Sequence, residues 1–285
     1  MKDFLDQLYI PPPPSLFADI KRAGGELDKI SSVIKKDPEL AAKVLQSINS
    51  AAFGMYVHIA SIPHAVSLLG LESVLNIING VLLRQISDKV DYVDLQIFWE
   101  NSNEVGSYAA YTSRKLSIGQ PDEMFTLGLF HNCGIPVILQ KYENYFSVLR
   151  KGYANANGLI RWVEEKLLQC NHAEVSYLVS RAWNLPNHII DAIRYHHDII
   201  YFQKLLQTAG QSSDPHDTKV LNSMVVLKIA EHLAELHLVL GNQEVDFEWE
   251  LLKGPIMEYC KFDEATLQDL EEQINEKFRD IEKEK

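Results

Sequence analysis

Four of the ten histidines in this chain lie in three short segments between residues 131 and 197. His131 stands in Gly-Leu-Phe-His-Asn-Cys-Gly, His172 follows Asn171 at a predicted helix start, and the consecutive pair His196 and His197 ends another predicted helix. Imidazole is a common ligand of transition metals, although a single histidine is more often structural. Four histidines in this order therefore make a metal site one hypothesis and a buried polar cluster the other.

The elements that position these histidines are predicted to be helices, because apolar residues recur every three or four positions along most of the chain. Asp37 and Pro38 are typical of a helix start, since the carboxylate accepts free backbone N–H groups and proline fits the first turn. Asn171, with Glu174 three residues later, indicates another start. No run of alternating residues requires a sheet. We therefore predict an all-α, multi-helix bundle with helices over Leu71–Ile86, Leu95–Leu116, Asn171–Trp183 and Asn187–His197.

The same periodicity predicts the core. Apolar residues on one helix face are expected to be buried against neighbouring helices. We expect Trp183 to pack against the domain with its indole N–H hydrogen-bonded. The other residues predicted to be buried are Leu40, Val44, Leu45, Ile48, Phe53, Leu69, Leu75, Ile78, Leu127 and Ile193.

Several motifs in this order resemble one known family. Residues 127–134 are similar to the "GLLHDIG" signature of HD-type phosphohydrolases, and the whole region resembles their degenerate relative, the HDOD domain (HD-related output domain). Residues 36–45 are similar to its "DPxLxxxlL" helix, 49–54 to its "NSxxfG" turn and 62–71 to its "AixxLG" segment. Residues 172–197 resemble "HaevG…rWnLP…HH", with Ser176 at the glycine position. We predict an HDOD domain over 9–207, a loop over Gln211–Asp217, and a helical extension over 208–285 that completes or packs on the HD-like core.

The resemblance also implies which residues stand at the metal-ligand positions of the catalytic HD and HD-GYP enzymes. His131, His172, His196 and His197 match ligand histidines of that pattern. The pattern's other ligands are replaced: the first histidine by Asn101, the aspartate of the His-Asp pair by Asn132, and the late aspartate by Glu231. Asparagine is neutral and offers one carbonyl oxygen. These are weak candidate ligands, and no catalytic residue is assigned.

These replacements leave three possible states of the site: two metal ions, one metal ion or none. A two-metal hydrolytic centre needs ions about 3.5–4 Å apart, and losing two ligands, one of them anionic, is expected to disable it. A single transition-metal ion could be held by His131, His172 and one of His196 or His197. A remnant pocket, in which the histidines hydrogen-bond to one another and to the two asparagines, needs no cofactor and is the interpretation we favour.

Composition excludes other function classes. Lys and Arg number 27 against 39 Asp and Glu, a net charge of −12, which disfavours nucleic-acid binding. Three widely spaced cysteines without a CxxC pair favour a reduced, cytoplasmic compartment. The N-terminus lacks the apolar core of a signal peptide, and polar residues interrupt the most apolar stretch, Ala65–Leu83, so we expect no membrane partner.

The resemblance implies a non-catalytic regulatory or interaction module of bacterial signal transduction, with a signalling protein as an unidentified partner. The first alternative is a metal-dependent phosphohydrolase acting on a nucleotide or phosphodiester, and the second is a sensor of a small ligand such as a nucleotide. An amphipathic C-terminal stripe is expected to pack on its own domain, or otherwise to form a homodimer seam. The stripe consists of Leu267, Leu270, Ile274, Phe278 and Ile281.

Overall fold

The computed structural model describes residues 8, 13, 15–23, 27–34, 37–87, 93–157, 160–209 and 214–279. Within these ranges the regular elements are helices and none is a strand, which confirms the all-α prediction. None of the described helices combines the length and the apolar character that crossing a bilayer requires. In chain order they are α1 (Ser15–Arg22), α2 (Leu27–Ile34), α3 (Pro38–Ile48), α4 (Ile62–Leu69), α5 (Leu71–Ser87), α6 (Val93–Leu116), α7 (Pro121–Phe130), α8 (Gly134–Leu139), α9 (Tyr145–Tyr153), α10 (Ile160–Leu168), α11 (His172–Ala182), α12 (Asn187–Tyr195), α13 (Ile199–Thr208), α14 (Pro215–Leu233), α15 (Leu236–Val239), α16 (Phe247–Cys260) and α17 (Glu264–Ile274), followed by a π-helical turn over Asn275–Arg279.

The two predicted helix starts are confirmed by their capping contacts. Asp37 Oδ1 accepts a hydrogen bond from the backbone N–H of Leu40 at 2.9 Å, at the start of α3. Asn171 Oδ1 accepts one from the backbone N–H of Glu174 at 2.8 Å, at the start of α11. The carboxylate of Glu174 pairs with Arg194 on α12, so it links two helices that both lead to histidines.

Two predicted boundaries need correction. α12 ends at Tyr195, so the two consecutive histidines that follow lie in a turn. The segment Gln211–Asp217 is helical from Pro215 onward, because Asp214 caps α14 with its side chain, while 211–213 lie outside the described residues. The predicted division between residues 207 and 208 stays a prediction.

Helix α6 lies at the centre of the bundle. It packs along α7 and α14, while α7 also contacts α5 and α14 also contacts α12. α6 and α7 cross closely at Gly106 and Gly128, where a Cβ atom added to Gly128 would lie 2.5 Å from the Cα atom of Gly106. This crossing fixes the end of α7, and His131 follows directly after it.

The predicted core is confirmed except at three leucines. Trp183 is fully buried and its ring meets that of Phe130 edge to face, with centroids 5.4 Å apart. Leu45, Leu69 and Leu75 are only partly buried, although they pack against the core. Leu45 and Leu75 lie beside the buried faces of their helices, each about 100° around the helix from a buried valine, and Leu69 is the last residue of α4. The residues that are buried as predicted are Leu40, Val44, Ile48, Phe53, Ile78, Leu127 and Ile193.

The C-terminal stripe packs on its own chain. Leu267, Leu270 and Ile274 are buried, whereas Ile281 lies outside the described residues. The ring of Phe278 contacts two tyrosine rings of α6, with centroid distances of 5.5 and 5.8 Å. These contacts bury the described part of the stripe without a second copy of the chain, so a homodimer stays a prediction.

Candidate metal centre

The structure brings the four predicted histidines together. His131 follows α7, His172 begins α11, and His196 and His197 lie in the turn after α12. Ring centroids are 5.5 Å apart for His131 and His196, 5.3 Å for His172 and His196, and 4.9 Å for His172 and His197. All four side chains are buried, so residues separated by up to 66 positions form one compact polar cluster in the interior.

Each ring is held through its Nδ1 atom by a different acceptor. The Nδ1–H groups of His131 and His196 each donate to a backbone carbonyl oxygen at 2.6 Å. His172 donates from Nδ1 to Glu164 at 2.9 Å, and His197 donates to Glu248 at 2.7 Å. A carbonyl oxygen or carboxylate on one nitrogen fixes the tautomer in which the other nitrogen carries the lone pair.

The opposite ring nitrogens have no hydrogen-bond partner among the described residues. This holds for the buried Nε2 atoms of His131, His172, His196 and His197. The remnant in which histidines hydrogen-bond to one another is therefore not what the structure shows. Buried polar atoms without a partner are rare in folded proteins, and here four of them belong to rings already oriented by their other nitrogen.

The ring positions fit a single transition-metal ion. His172, His196 and His197 each offer a ligand atom within 4.8 Å of the others, and their side chains are buried. His196 and His197 can both take part because they lie in a turn, where the 100° separation of consecutive helix residues does not apply. The three ligands that the structure brings together are therefore His172, His196 and His197. The sequence predicts His131, His172 and only one of the two consecutive histidines.

Burial keeps three of the histidines, His131, His196 and His197, neutral. It lowers the pKa of His131 to about 3 and lowers the pKa values of His196 and His197 well below the usual range. For His197, the ammonium group of Lys228 lowers the pKa further. A neutral imidazole is the form that ligates a metal.

Two carboxylates and a lysine lie beside the histidines. Glu231 Oε1 is 3.5 Å from His131 Nε2, so the predicted late-aspartate position does face the cluster. Lys228 Nζ is 2.6 Å from Glu231 Oε2 and 2.7 Å from Glu248 Oε2, and all three groups are buried. Burial raises the pKa of Glu231 to about 7, although Lys228 opposes this effect. Burial alone would lower the pKa of Lys228, but the two carboxylates raise it above its ordinary value.

The two asparagines have different surroundings. Asn132 is buried next to His131, and neither polar atom of its side chain has a hydrogen-bond partner in the described part of the chain. Asn101 lines a different cavity of about 260 Å³, together with Glu104, Tyr108 and other residues. The predicted polar network joining both asparagines to the histidines is thus not observed at Asn132.

Ser176, which departs from the family pattern, has a local structural role. Its Oγ atom accepts a hydrogen bond from the backbone N–H of Gly134 at 2.8 Å. A Cβ atom added to Gly134 would lie 2.4 Å from the carbonyl oxygen of His172 and 2.7 Å from the Ser176 backbone nitrogen. The close approach of α8 and α11 therefore depends on Gly134. Ser176 on α11 fits this contact although the family pattern has glycine at its position.

Sequence analysis missed three residues of this site, namely Glu164, Lys228 and Glu248. Each interrupts an apolar face: Glu164 lies between Ile160 and Leu168 at four-residue spacing, and all three are buried. A charged residue at such a position is a usable signal, because buried charges are almost always paired. Such a position indicates that another buried residue of the chain pairs with the charge, but it does not identify that residue.

The protein is expected to lose stability as the pH falls below 6.5. His131, His196 and His197 stay neutral in the folded chain, whereas their unfolded forms bind protons below a pKa of about 6.5. Each therefore removes roughly 1 kcal/mol of stability per pH unit on acidification. Burial raises the pKa of Glu231 to about 7, so a proton bound to Glu231 in the folded chain offsets about one histidine. Burial also raises the pKa of Glu248, which acts in the same direction.

Urea unfolding at pH 7.5, 6.5 and 5.5 measures this balance. We expect the free energy of unfolding to fall by roughly 1 kcal/mol between pH 6.5 and 5.5, because the three unfolded histidines together hold about two protons in this range and Glu231 offsets about one of them. The variant His131→Gln should flatten the slope, whereas His64→Gln, at an exposed position, should keep it. Stability that rises steadily on acidification would contradict the buried neutral histidines.

Comparison with known proteins identifies a family and a fold. The family model of the HDOD domain matches residues 10–199. An uncharacterized protein of Treponema pallidum (strain Nichols) is 29% identical over 196 residues, which are 67% of this chain and 38% of that protein. The chain thus spans well under half the length of this relative.

Two solved structures share the fold over nearly the whole chain. An HDOD domain protein with unknown function from Geobacter sulfurreducens has a TM-score of 0.64 at 22% identity, covering 97% of this chain and 96% of that one. A candidate metal-dependent phosphohydrolase from Shewanella amazonensis SB2B has a TM-score of 0.64 at 16% identity, covering 97% and 94%. At these identities the similarity is one of fold.

Proposed function

Because the chain belongs to the HDOD domain family, we propose that it is a regulatory or interaction module of bacterial signal transduction that does not hydrolyse phosphodiesters. The family match and the fold support a signalling module. The absence of hydrolysis is inferred from the charges of the histidine site. A signalling protein is the partner we expect.

The position of Lys228 is the observation that supports a non-catalytic role. Its ammonium group binds one oxygen each of Glu231 and Glu248, the carboxylates that lie 3.5 Å from His131 Nε2 and 2.7 Å from His197 Nδ1. A two-metal centre needs anionic ligands that offset the repulsion between ions about 3.5–4 Å apart. In this chain the ammonium group of Lys228 already neutralises the carboxylates of Glu231 and Glu248. The position of the bridging carboxylate is taken by Asn132, which is neutral.

The site can still hold one ion. His172, His196 and His197 would be its ligands, since imidazole nitrogens suit zinc and other transition metals. Such an ion, when bound, would supply Lewis acidity toward one water or ligand oxygen. The chain's own residues hold the start of α11 against the turn after α12, and this arrangement would be stabilised by a shared ligand at the three rings.

A metal-dependent phosphohydrolase is the second candidate. The four inward-facing Nε2 atoms favour it, and so does the fold shared with the Shewanella amazonensis protein. The role of a small-ligand sensor, which would use the same pocket without chemistry, stays a prediction.

Hydrolysis assays decide between the two candidates. Metal-stripped protein is supplied with Mn²⁺, Fe²⁺ or Mg²⁺ and tested with bis(p-nitrophenyl) phosphate, nucleotides and cyclic dinucleotides. We expect wild type and His131→Ala to show the same turnover as a blank without protein. The matched histidine control is His216→Ala, in the first turn of α14, where the side chain is 42% exposed and pairs with Asp191 outside the histidine centre. Turnover that is abolished by His131→Ala and retained by His216→Ala would establish the hydrolase instead.

A further inference from the structure

A second group of ligating side chains lies outside the four-histidine centre and shares no residue with it. It consists of His232 near the end of α14, His237 on α15 and Asp246 immediately before α16. One ligand atom from each lies within 4.8 Å of the others. Neither the family motifs nor the proposed function uses these residues.

Both imidazoles present Nδ1 to the same carboxylate oxygen. The Nδ1 atom of His232 is 3.1 Å from Asp246 Oδ2, and the Nδ1 atom of His237 is 3.6 Å from it. Bonds of about 2.0–2.1 Å in a tetrahedral zinc site separate neighbouring ligand atoms by about 3.3 Å. The two observed separations lie on either side of this value, so an ion could enter with small side-chain shifts.

The second distance is too long for a hydrogen bond and leaves a buried atom unpaired. His237 Nδ1 is buried and has no hydrogen-bond partner among the described residues. The His237 side chain is 11% exposed and that of Asp246 is 14% exposed. A buried nitrogen aimed at a carboxylate oxygen without bonding to it is the arrangement that a cation between the two atoms would satisfy.

The surrounding structure fixes the three side chains in place. Asp246 Oδ1 accepts a hydrogen bond from the backbone N–H of Trp249 at 3.0 Å, which leaves Oδ2 facing the histidines. The ring of His232 stacks on that of Trp249, with centroids 4.5 Å apart and an interplanar angle of 11°. Glu235 adopts the left-handed conformation with φ of 53°, so the chain reverses and places His237 beside His232.

We propose that His232, His237 and Asp246 bind one Zn²⁺ ion, with water as the fourth ligand. Two imidazoles and a carboxylate form a set that zinc commonly accepts. On binding, His232 would take its Nε2–H tautomer, and zinc would replace the proton now shared with Asp246. The side chain of His232 is 28% exposed, which gives the ion a route from solvent. The ion would tie the end of α14 to α15 and to the start of α16.

Zinc content after gel filtration tests the proposal with two variants. In H237Q a ligand is removed, and in D246N the anionic ligand is removed while the helix cap is kept, since asparagine caps as well as aspartate. We expect metal-stripped wild type incubated with Zn²⁺ to retain one more ion per chain than either variant. Any zinc at the four-histidine centre is common to all three proteins and cancels in the comparison.

The matched control is D263N. Asp263 caps α17 in the same manner, accepting from the backbone N–H of Thr266 at 3.0 Å, but is not part of the ligand group. It should bind zinc as the wild type does, and Zn²⁺ should raise the melting temperature of wild type and D263N more than that of D246N. Equal zinc content in the wild type and D246N would overturn the proposal, and so would an equal loss in D263N.

Discussion

Lys228→Met is expected to destabilise the metal-free protein by about 3–5 kcal/mol, because it leaves two buried carboxylates without their counter-charge. Lys228 Nζ lies 2.6 Å from Glu231 and 2.7 Å from Glu248. Methionine has nearly the length of the lysine stem, so packing changes little and the measured loss reports the charge. Urea unfolding of chelator-treated protein at pH 7.5 measures the effect.

The same variant is expected to gain affinity for a divalent ion. Without the ammonium group, Glu231 becomes available beside His131, whose Nε2 atom is 3.5 Å away. We expect Mn²⁺ or Zn²⁺ to bind at least about tenfold more tightly than to the wild type, and to restore part of the lost stability by binding only the folded chain.

A surface lysine provides the control for this substitution. Lys253 pairs with Glu264 at 2.6 Å, but its side chain is 29% exposed and that of the glutamate 59% exposed. Lys253→Met should therefore cost less than about 1 kcal/mol. Two results would contradict the view that Lys228 takes the place of a metal cation beside Glu231 and Glu248. The first is a loss in the free energy of unfolding as small as that of Lys253→Met, and the second is a Lys228→Met protein whose stability no divalent ion restores.

Local signals in the sequence were sufficient for the helices and for the grouping of the histidines. Helix periodicity and the capping residues Asp37 and Asn171 act over a few positions, so they can be recognised without tertiary information. The four histidines could be grouped because the family resemblance supplied their order. Neither source contained the second group, in which His232, His237 and Asp246 converge through a chain reversal at Glu235.

The missing parts of the site depend on contacts between distant segments. Glu248 binds His197 across 51 positions, and its other partner Lys228 lies on a different helix. Periodicity predicts the direction of a side chain from its helix but not the depth to which neighbouring helices cover it. The same limit explains Leu45 and Leu69, which face the core as predicted but remain partly exposed.

Gly128→Ala is expected to cost about 3 kcal/mol, because the added methyl group meets backbone atoms that cannot rotate away. A Cβ atom at this position would lie 2.5 Å from the Cα atom of Gly106 and 2.6 Å from its nitrogen. The two helices must separate to accept it. Since the carbonyl oxygen of Gly128 also binds His131 Nδ1, separation would disturb the histidine centre as well.

The control is a glycine that also lies inside a helix but has open surroundings. A Cβ atom at Gly254 would have no atom within 4 Å, so Gly254→Ala tests helix propensity alone. Alanine favours the helix by about 1 kcal/mol, an effect partly opposed by the following proline, Pro255, so stability should stay within about 1 kcal/mol of the wild type. Urea unfolding of the two variants should then differ by at least about 2 kcal/mol. Similar stabilities would mean that the crossing of α6 and α7 is looser than the contact between Gly106 and Gly128 indicates, and that His131 is not held in place by it.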